Sequence, residues 1–117
     1  MISGINSSLS ALHAFAKKQE SIADNTANVN TDGFKKTRVT IGSQANGAVM
    51  PQVERITTPG PMVFEQRQEG YGPVEKSNVE ISEEIPQAML NRRFYQANIK
   101  SMQIADEMLG SLLDIKG

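Results

Sequence analysis

The C-terminal third of the sequence carries apolar side chains on two sides, and this pattern constrains the fold more than any other feature. The periodicity predicts one helix from about Ser82 to Ile115, about 50 Å long at 1.5 Å per residue. Pro86 falls in its first turn, where a missing N–H costs little, and Glu83 and Glu84 suit the positive end of the helix dipole. The predicted helix is about three times longer than the average of 11 to 12 residues.

Two rows of side chains run along this helix, each in alternating steps of four and three residues, the spacing of a coiled coil. The first row consists of Ile81, Ile85, Ala88, Arg92, Tyr95, Ile99, Met102, Asp106, Leu109 and Leu113. The second row consists of Leu90, Phe94, Ala97, Ser101, Ile104, Met108, Ser111 and Ile115. An offset of two residues sets the rows about 200° apart around the axis. A helix that is apolar on two sides is buried on two sides, so we expect other molecules to cover one of the rows.

The N-terminal segment predicts a second helix, from about Ser3 to Asn28, which contains no Pro and only one Gly. Its apolar side chains repeat with a period near 3.5, and the face opposite them is polar. We expect this apolar row to dock on one row of the C-terminal helix, so that the two helices pair as a coiled coil. The docking row consists of Ile5, Leu9, Leu12, Phe15 and Ile22.

The segment between the helices is rich in turn residues and holds four of the five Pro. Extended runs are predicted within residues 34–43, 48–58, 61–68 and, less clearly, 73–81, and Pro inside a run favours short or edge strands. The predicted fold is therefore α+β, mostly α, with a small β-hairpin-like unit of three or four short strands between the long helices. We expect residues 1–33 and 77–117 to form a discontinuous helical assembly domain, with residues 34–76 as a β-rich insert.

Composition excludes several classes of function. The chain has no Cys and one His, which excludes thiolate catalysis, a disulfide scaffold and a multi-His metal cage. The formal net charge of −1 gives no bulk attraction to nucleic acid, and no run of about 18 apolar residues could span a membrane. The N-terminal residues lack an unbroken apolar region, so no secretory signal is expected.

Individual polar residues also give no sign of catalysis. His13 lies on the polar face of the N-terminal helix beside Ser10, but no acid stands where it would orient a Ser–His pair, and a solvated side chain is the simpler interpretation. The short cluster of Lys35, Lys36 and Arg38 is typical of a solvated strand edge. We therefore expect a protein that is not an enzyme and needs no cofactor or metal.

Two stretches resemble a known family. Residues 7–36 contain the run ADNTANVNTDGFK, which resembles the N-terminal signature of flagellar basal-body rod and hook proteins. Residues 77–117 resemble the matching C-terminal signature, with an SNVEISEE start, a YQAN centre and a DEML end. The resembling residues of the first signature form the turn after the helix: Asn25, Asn28, Val29, Asn30, Thr31, Gly33 and Phe34. Those of the second are Ser77, Asn78, Val79, Glu83, Glu84, Tyr95, Ala97, Asn98, Asp106, Glu107, Met108, Leu109 and Leu112.

The resemblance implies a structural subunit of the bacterial flagellar basal-body rod, most similar to the small proximal-rod type. It implies paired terminal helices that stack with copies of the same chain and with other axial proteins in a helical tube, and an outer β domain. It further implies export to the periplasmic rod through the flagellar type III export apparatus without a cleaved signal peptide, and no membrane insertion. An alternative stays open: a non-exported coiled-coil accessory or regulatory paralogue of the rod family, distinguished by its failure to be exported.

Overall fold

The computed structural model describes residues 2–116 and contains two helices and four strands. In chain order these are α1 (Ile2–Ala27), β1 (Thr37–Ser43), β2 (Val49–Arg55), β3 (Met62–Arg67), β4 (Gly70–Glu75) and α2 (Ile81–Lys116). The predicted order of long helix, short strands and long helix is confirmed, and each helix begins and ends within one residue of its predicted bounds.

The two helices pack side by side in opposite directions. Near the C-terminal end of α1, Asn25 contacts Glu84 of α2, and farther along Phe15 stacks on Phe94 with ring centroids 5.6 Å apart. The molecule measures 79 × 24 × 20 Å, and its radius of gyration of 20.7 Å far exceeds the about 13 Å of a compact chain of this length. This elongated shape leaves most of the length of α2 covered on one side only.

The strands form two separate antiparallel hairpins. In the first, β1 pairs with β2 from Thr37 opposite Arg55 to Ser43 opposite Val49. In the second, β3 pairs with β4 from Met62 opposite Glu75 to Arg67 opposite Gly70. Three or four strands were expected in a single unit, and the structure has four. They divide into two sheets because residues 56–61, which contain Pro59 and Pro61, make no strand and join the hairpins as an extended link.

The fourth strand differs from its predicted range of 73–81. It begins earlier, at Gly70, because Gln68 and Glu69 form a tight turn to which Gly70 contributes a backbone φ of 122°. It ends at Glu75 because the following residues bond to loops on both sides, with the Lys76 N–H donating to the Pro61 carbonyl at 2.8 Å.

Pro residues lie inside two of the strands. Pro51 stands opposite Ile41 and Pro73 stands opposite Phe64. A two-stranded sheet leaves one edge of each strand unpaired, so a residue without an N–H can be accommodated there. The expectation of short edge strands is confirmed.

The apolar core is small and lies on both sides of α1. α1 packs against α2 on one side and against the first hairpin on another, and Val39 of β1 is buried there. Among the described residues, the second hairpin packs on neither helix and is held by the loops, with the Gly33 N–H donating to the Glu75 carbonyl at 2.9 Å. The buried apolar side chains are Ala14, Ile22, Val39, Val74 and Val79.

Neither helix, over the residues described, combines the length and apolar character needed to cross a membrane.

Candidate assembly surface

The turn after α1 is built by the side chains of the N-terminal signature. The Asn28 backbone N–H and side-chain Nδ2 both donate to the Asp24 carbonyl, at 3.1 and 2.9 Å, which closes the last turn of the helix. The Thr31 hydroxyl then donates to Asn28 Oδ1 at 3.1 Å. Gly33 adopts a φ of 69°, where a side chain is disfavoured, and lets the chain reverse toward β1. Asn30 lies exposed within the turn, and half-buried Phe34 starts the next segment.

Asn25 joins α1 to both other parts of the fold. Its side chain is 2% exposed, and its Nδ2 donates to the Thr37 carbonyl at 2.8 Å while its Oδ1 accepts from the Thr37 N–H at 2.9 Å. Nδ2 also lies 3.4 Å from Oε1 of Glu84, which is itself buried in the first turn of α2. One side chain therefore connects α1, β1 and α2.

Asn78 makes a second set of connections just before α2. Its Oδ1 accepts from the Lys36 N–H at 2.7 Å, and its Nδ2 donates to the carbonyls of Ile56 and Thr58 at 2.9 and 3.0 Å. Its own N–H donates to the Phe34 carbonyl at 3.2 Å. We call the group of Asn25, Thr37, Asn78 and Glu84 the polar junction. It brings the two signature segments, from opposite ends of the sequence, into direct contact.

Ion pairs surround the polar junction. Lys36 pairs with Glu83 at 2.8 Å and lowers the pKa of that carboxyl. Lys35 pairs with Glu75, and its hydrogen bond lowers the pKa of Glu75 below the ordinary 4.5. These lysines were expected to be solvated, and each instead bonds an acid. Because the pairs are solvent-accessible, each contributes little alone, and together they orient the link to the hairpins.

Asp32 ties the turn after α1 to the second hairpin. It pairs with Lys76 at 2.9 Å and with Arg67, and the hydrogen bond from Lys76 is the main cause of its lowered pKa. Lys76 also pairs with Glu65 at 2.6 Å, and this bond and the one to Asp32 raise the pKa of Lys76. The second hairpin is thus fixed mainly by charges and loop hydrogen bonds.

The side of α2 that meets α1 is a line whose most buried side chains are polar, and we call it the polar line. Glu84 and Asn91 are its most buried side chains, at 7% and 3% exposure. Asn91 Nδ2 donates to the Phe15 carbonyl and to Gln19 Oε1, both at 2.9 Å, while its Oδ1 has no partner within residues 2–116. The same face of α2 carries the half-buried side chains Ala88, Asn98, Met102, Ala105 and Leu109.

The predicted apolar side chains are mostly covered on α1 and mostly exposed on α2. On α1, Ile22 is buried, Ile5, Leu12 and Phe15 are half-buried, and Leu9 is 44% exposed. On α2, Met102 and Leu109 are half-buried on the line that meets α1. The remaining predicted side chains of α2 are 36% to 71% exposed: Ile85, Leu90, Phe94, Tyr95, Ile99, Ile104, Met108 and Leu113. The contact line therefore runs along the edge of the first predicted row and shares Ala88, Met102 and Leu109 with it, and apolar side chains are open on both flanks.

The polar line and half of the polar junction were missed by sequence reasoning. Glu84 was interpreted as a partner of the helix dipole and as a signature residue, without a contact to α1, and Asn91 and Thr37 were assigned no role. One signal was present: Glu84, Asn91 and Asn98 are spaced by seven residues, the repeat of one face of a coiled coil.

The second hairpin carries an exposed aromatic pair that the sequence did not single out. Phe64 and Tyr71 stack with centroids 5.9 Å apart and are 60% and 70% exposed. Across residues 2–116, no three His, Asp or Glu side chains come together in a way that could hold a metal ion.

Comparison with known families identifies the two ends of the chain. The model described as flagella basal body rod protein matches residues 5–35, and the model described as flagellar basal body rod FlgEFG protein C-terminal matches residues 72–115. Together the matches span more than half of the chain. They include three of the four members of the polar junction, Asn25, Asn78 and Glu84. Comparison with curated protein sequences gave no match.

Proposed function

The chain belongs to the flagellar basal-body rod protein family, and from this premise we propose that it is a structural subunit of the rod that assembles through its terminal helices. Membership supports a structural role in the flagellar basal body and in motility, in contact with other rod proteins. The finer proposal concerns how one chain of 117 residues makes those contacts.

One observation carries the proposal: α2 exposes apolar side chains on both flanks of the line that meets α1. Ile85 and Ile99 are 54% and 37% exposed on one flank, and Leu90, Ile104 and Met108 are 46% to 52% exposed on the other. Contiguous apolar surface of this kind marks contact sites between proteins. Complete burial of such side chains stabilises by about 1.5–3 kcal/mol each, before the cost of ordering, so neighbouring subunits on both flanks provide a large driving force.

The helices and the β-rich insert have different roles in this proposal. We propose that residues 1–33 and 77–117 form the assembly unit, and that residues 34–76 form a β-rich insert on the outside of the polymer. The polar junction fixes the angle at which the insert leaves the helices, since Asn25 and Asn78 bond the backbone of the linking segments directly. A fixed angle lets every copy present its insert identically along a helical polymer.

The subunit resembles the small proximal-rod type because the segment between its signatures is short. We propose that it reaches the periplasmic rod through the flagellar type III export apparatus without a cleaved signal, and that it has no catalytic activity and no cofactor. The alternative, a non-exported coiled-coil accessory or regulatory paralogue, uses the same helices and differs in cellular location.

Immunodetection in purified hook–basal bodies tests the proposal. Hook–basal bodies from the parent strain should contain the chain, and a strain with a blocked flagellar export gate should retain it in the cytoplasm. A flagellar protein already known to be in the rod serves as the positive control for both fractions. If the chain is cytoplasmic in both strains and absent from hook–basal bodies, the rod proposal fails and the accessory alternative stands.

A further inference from the structure

The second apolar row of α2 carries an internal symmetry that points to a specific partner. We propose that a second copy of this chain binds this row in antiparallel orientation, α2 against α2, to form a closed dimer. The large side chains of the row keep exposed surface for a partner: Met108 and Ile115 are 52% and 81% exposed, and Phe94, which stacks on Phe15 of α1 with part of its ring, is 46% exposed. The proposal does not depend on the rod function, because it concerns only the surface of the free chain.

The order of large and small side chains in the row suits an antiparallel copy. When the two helices are related by a two-fold axis between residues 102 and 103, the partner's Ser111 faces Phe94, and the partner's Ala97 faces Met108. The partner's Ser101 likewise faces Ile104. Large side chains then meet small ones at three of the four layers, which is how packed cores fill space. Only the terminal layer, Leu90 with the partner's Ile115, joins two large side chains.

The charges beside the row select the same arrangement. Arg93, Lys100, Glu107 and Asp114 are spaced by seven residues along the edge of the row that faces away from α1. Within residues 2–116 none of the four takes part in an ion pair, so all are free to meet a partner. In the antiparallel pair Arg93 meets the partner's Asp114, and Lys100 meets the partner's Glu107. Two-fold symmetry doubles both contacts.

Other registers and orientations lose this complementarity. A shift of one heptad toward the N-terminus sets Lys100 against the partner's Lys100, and the opposite shift sets Glu107 against the partner's Glu107. A parallel pair would place the charged edge beside the partner's Asn98 and Ala105, which carry no charge and already face α1. The charge pattern thus favours one register and one orientation.

The antiparallel pair has a consequence for assembly. A two-fold contact uses the same patch on both copies and closes on itself, whereas a helical polymer repeats a head-to-tail contact between copies of one polarity. The dimer therefore covers the second row without starting a polymer. It would compete with incorporation into any filament that uses this row.

Charge exchange tests the pairing. The full-length chain should show a concentration-dependent monomer–dimer equilibrium in analytical ultracentrifugation. Lys100→Glu alone and Glu107→Lys alone should each weaken dimerisation by about tenfold or more, because each replaces two attractive contacts by two repulsive ones. An equimolar mixture of the two variants, and the double variant Lys100→Glu/Glu107→Lys, should regain the dimer. Circular dichroism of each variant verifies that these exposed substitutions leave the helices intact.

Distance measurement tests the orientation. The chain has no Cys, so spin labels can be placed singly through Gln103→Cys and Gly110→Cys, two exposed positions one heptad apart. An added side chain at Gly110 meets no atom within 4 Å. In the antiparallel pair, the two labels at 110 are offset by about 22 Å along the axis and those at 103 by about 1.5 Å. Double electron–electron resonance should therefore give a longer distance between the two labels at position 110 than between the two labels at position 103.

Three results would overturn the proposal. A parallel pair gives equal label distances at 103 and 110, because neither position is then offset along the axis. A chain that stays monomeric at all accessible concentrations, or a dimer that neither charge reversal weakens, removes the pairing itself. Loss of the dimer leaves the rod proposal untouched, since that proposal is tested by the presence of the chain in hook–basal bodies.

Discussion

Asn25→Ala is the substitution that most sharply probes the polar junction. The change removes the hydrogen bonds at 2.8 and 2.9 Å that Asn25 exchanges with the Thr37 backbone, and the 3.4 Å contact to Glu84. The Thr37 carbonyl keeps the Ser21 hydroxyl as a donor at 3.2 Å, whereas the Thr37 N–H loses its partner. Two lost bonds and a half-buried Thr37 N–H left without a protein partner cost about 3 kcal/mol of unfolding free energy.

Urea unfolding of the full-length chain, followed by circular dichroism at 222 nm, measures this cost. Asn30→Ala is the matched control, since Asn30 belongs to the same signature, is exposed, and makes no side-chain hydrogen bond within residues 2–116. We expect the control to stay within about 0.5 kcal/mol of the parent chain. Equal unfolding free energies for the two variants would refute the argument that Asn25 joins the helices to the first hairpin.

Three further predictions follow from particular contacts. Hydrogen bonds from lysines lower the pKa values of Asp32, Glu75 and Glu83, so the stability that these carboxylates contribute is complete above their ordinary pKa values of 3.8 to 4.5 and is lost as the pH falls below that range. The backbone amides of the second hairpin should therefore exchange with solvent faster at pH 3.5 than at pH 7, after correction for intrinsic exchange rates. Unchanged protection would contradict this. Asn91→Leu replaces a buried amide whose Oδ1 lacks a partner, so the unfolding free energy should rise by about 1 kcal/mol. A fall in the unfolding free energy would show that the hydrogen bonds from Asn91 to Phe15 and Gln19 stabilise the fold more than a buried leucine does. At low protein concentration, the backbone amides of α2 beyond residue 107 should exchange faster than those near Asn91. The antiparallel pairing of Phe15 with Phe94, continued along the helices, sets Ile2 near residue 107, so α1 does not cover α2 beyond that point. Uniform protection along α2 would contradict this.

The helices could be predicted closely because their signals are local. The absence of Pro in the N-terminal segment, the Asn and Gly residues after it, and the acids around Pro86 all act within a few residues of the helix ends. The face of α2 that meets α1 could not be predicted in the same way. Apolar residues mark its flanks, whereas the contact line itself contains Glu84, Asn91 and Asn98.

The hairpins show a second limit of local reasoning. Each extended run was visible from its composition, but the division into two sheets depends on side chains distant in sequence. Asn78 holds the carbonyls of Ile56 and Thr58, and Asp32 holds Lys76 and Arg67. Such contacts between residues 20 to 44 positions apart have no periodic signal, although Asp32 and Asn78 themselves lie in the two family signatures.

Polar side chains are the most buried ones of α2 at its contact with α1, whereas many of its large apolar side chains are exposed. A buried polar line costs stability relative to an apolar one, and in coiled coils single buried Asn residues specify register and orientation. Here the line at Glu84 and Asn91 fixes how α1 lies on α2, and the apolar flanks remain for other chains.

Incorporation of a matched pair of variants into hook–basal bodies tests the central claim most directly. Ile104→Asp puts a charge on the exposed second row, and Gln103→Asp puts the same charge one residue earlier, on an exposed polar position off the row. The account predicts that Gln103→Asp enters purified hook–basal bodies like the parent chain, and that Ile104→Asp is folded by circular dichroism but missing from them. Equal incorporation of both variants would contradict the claim that the exposed rows of α2 are the contacts between subunits.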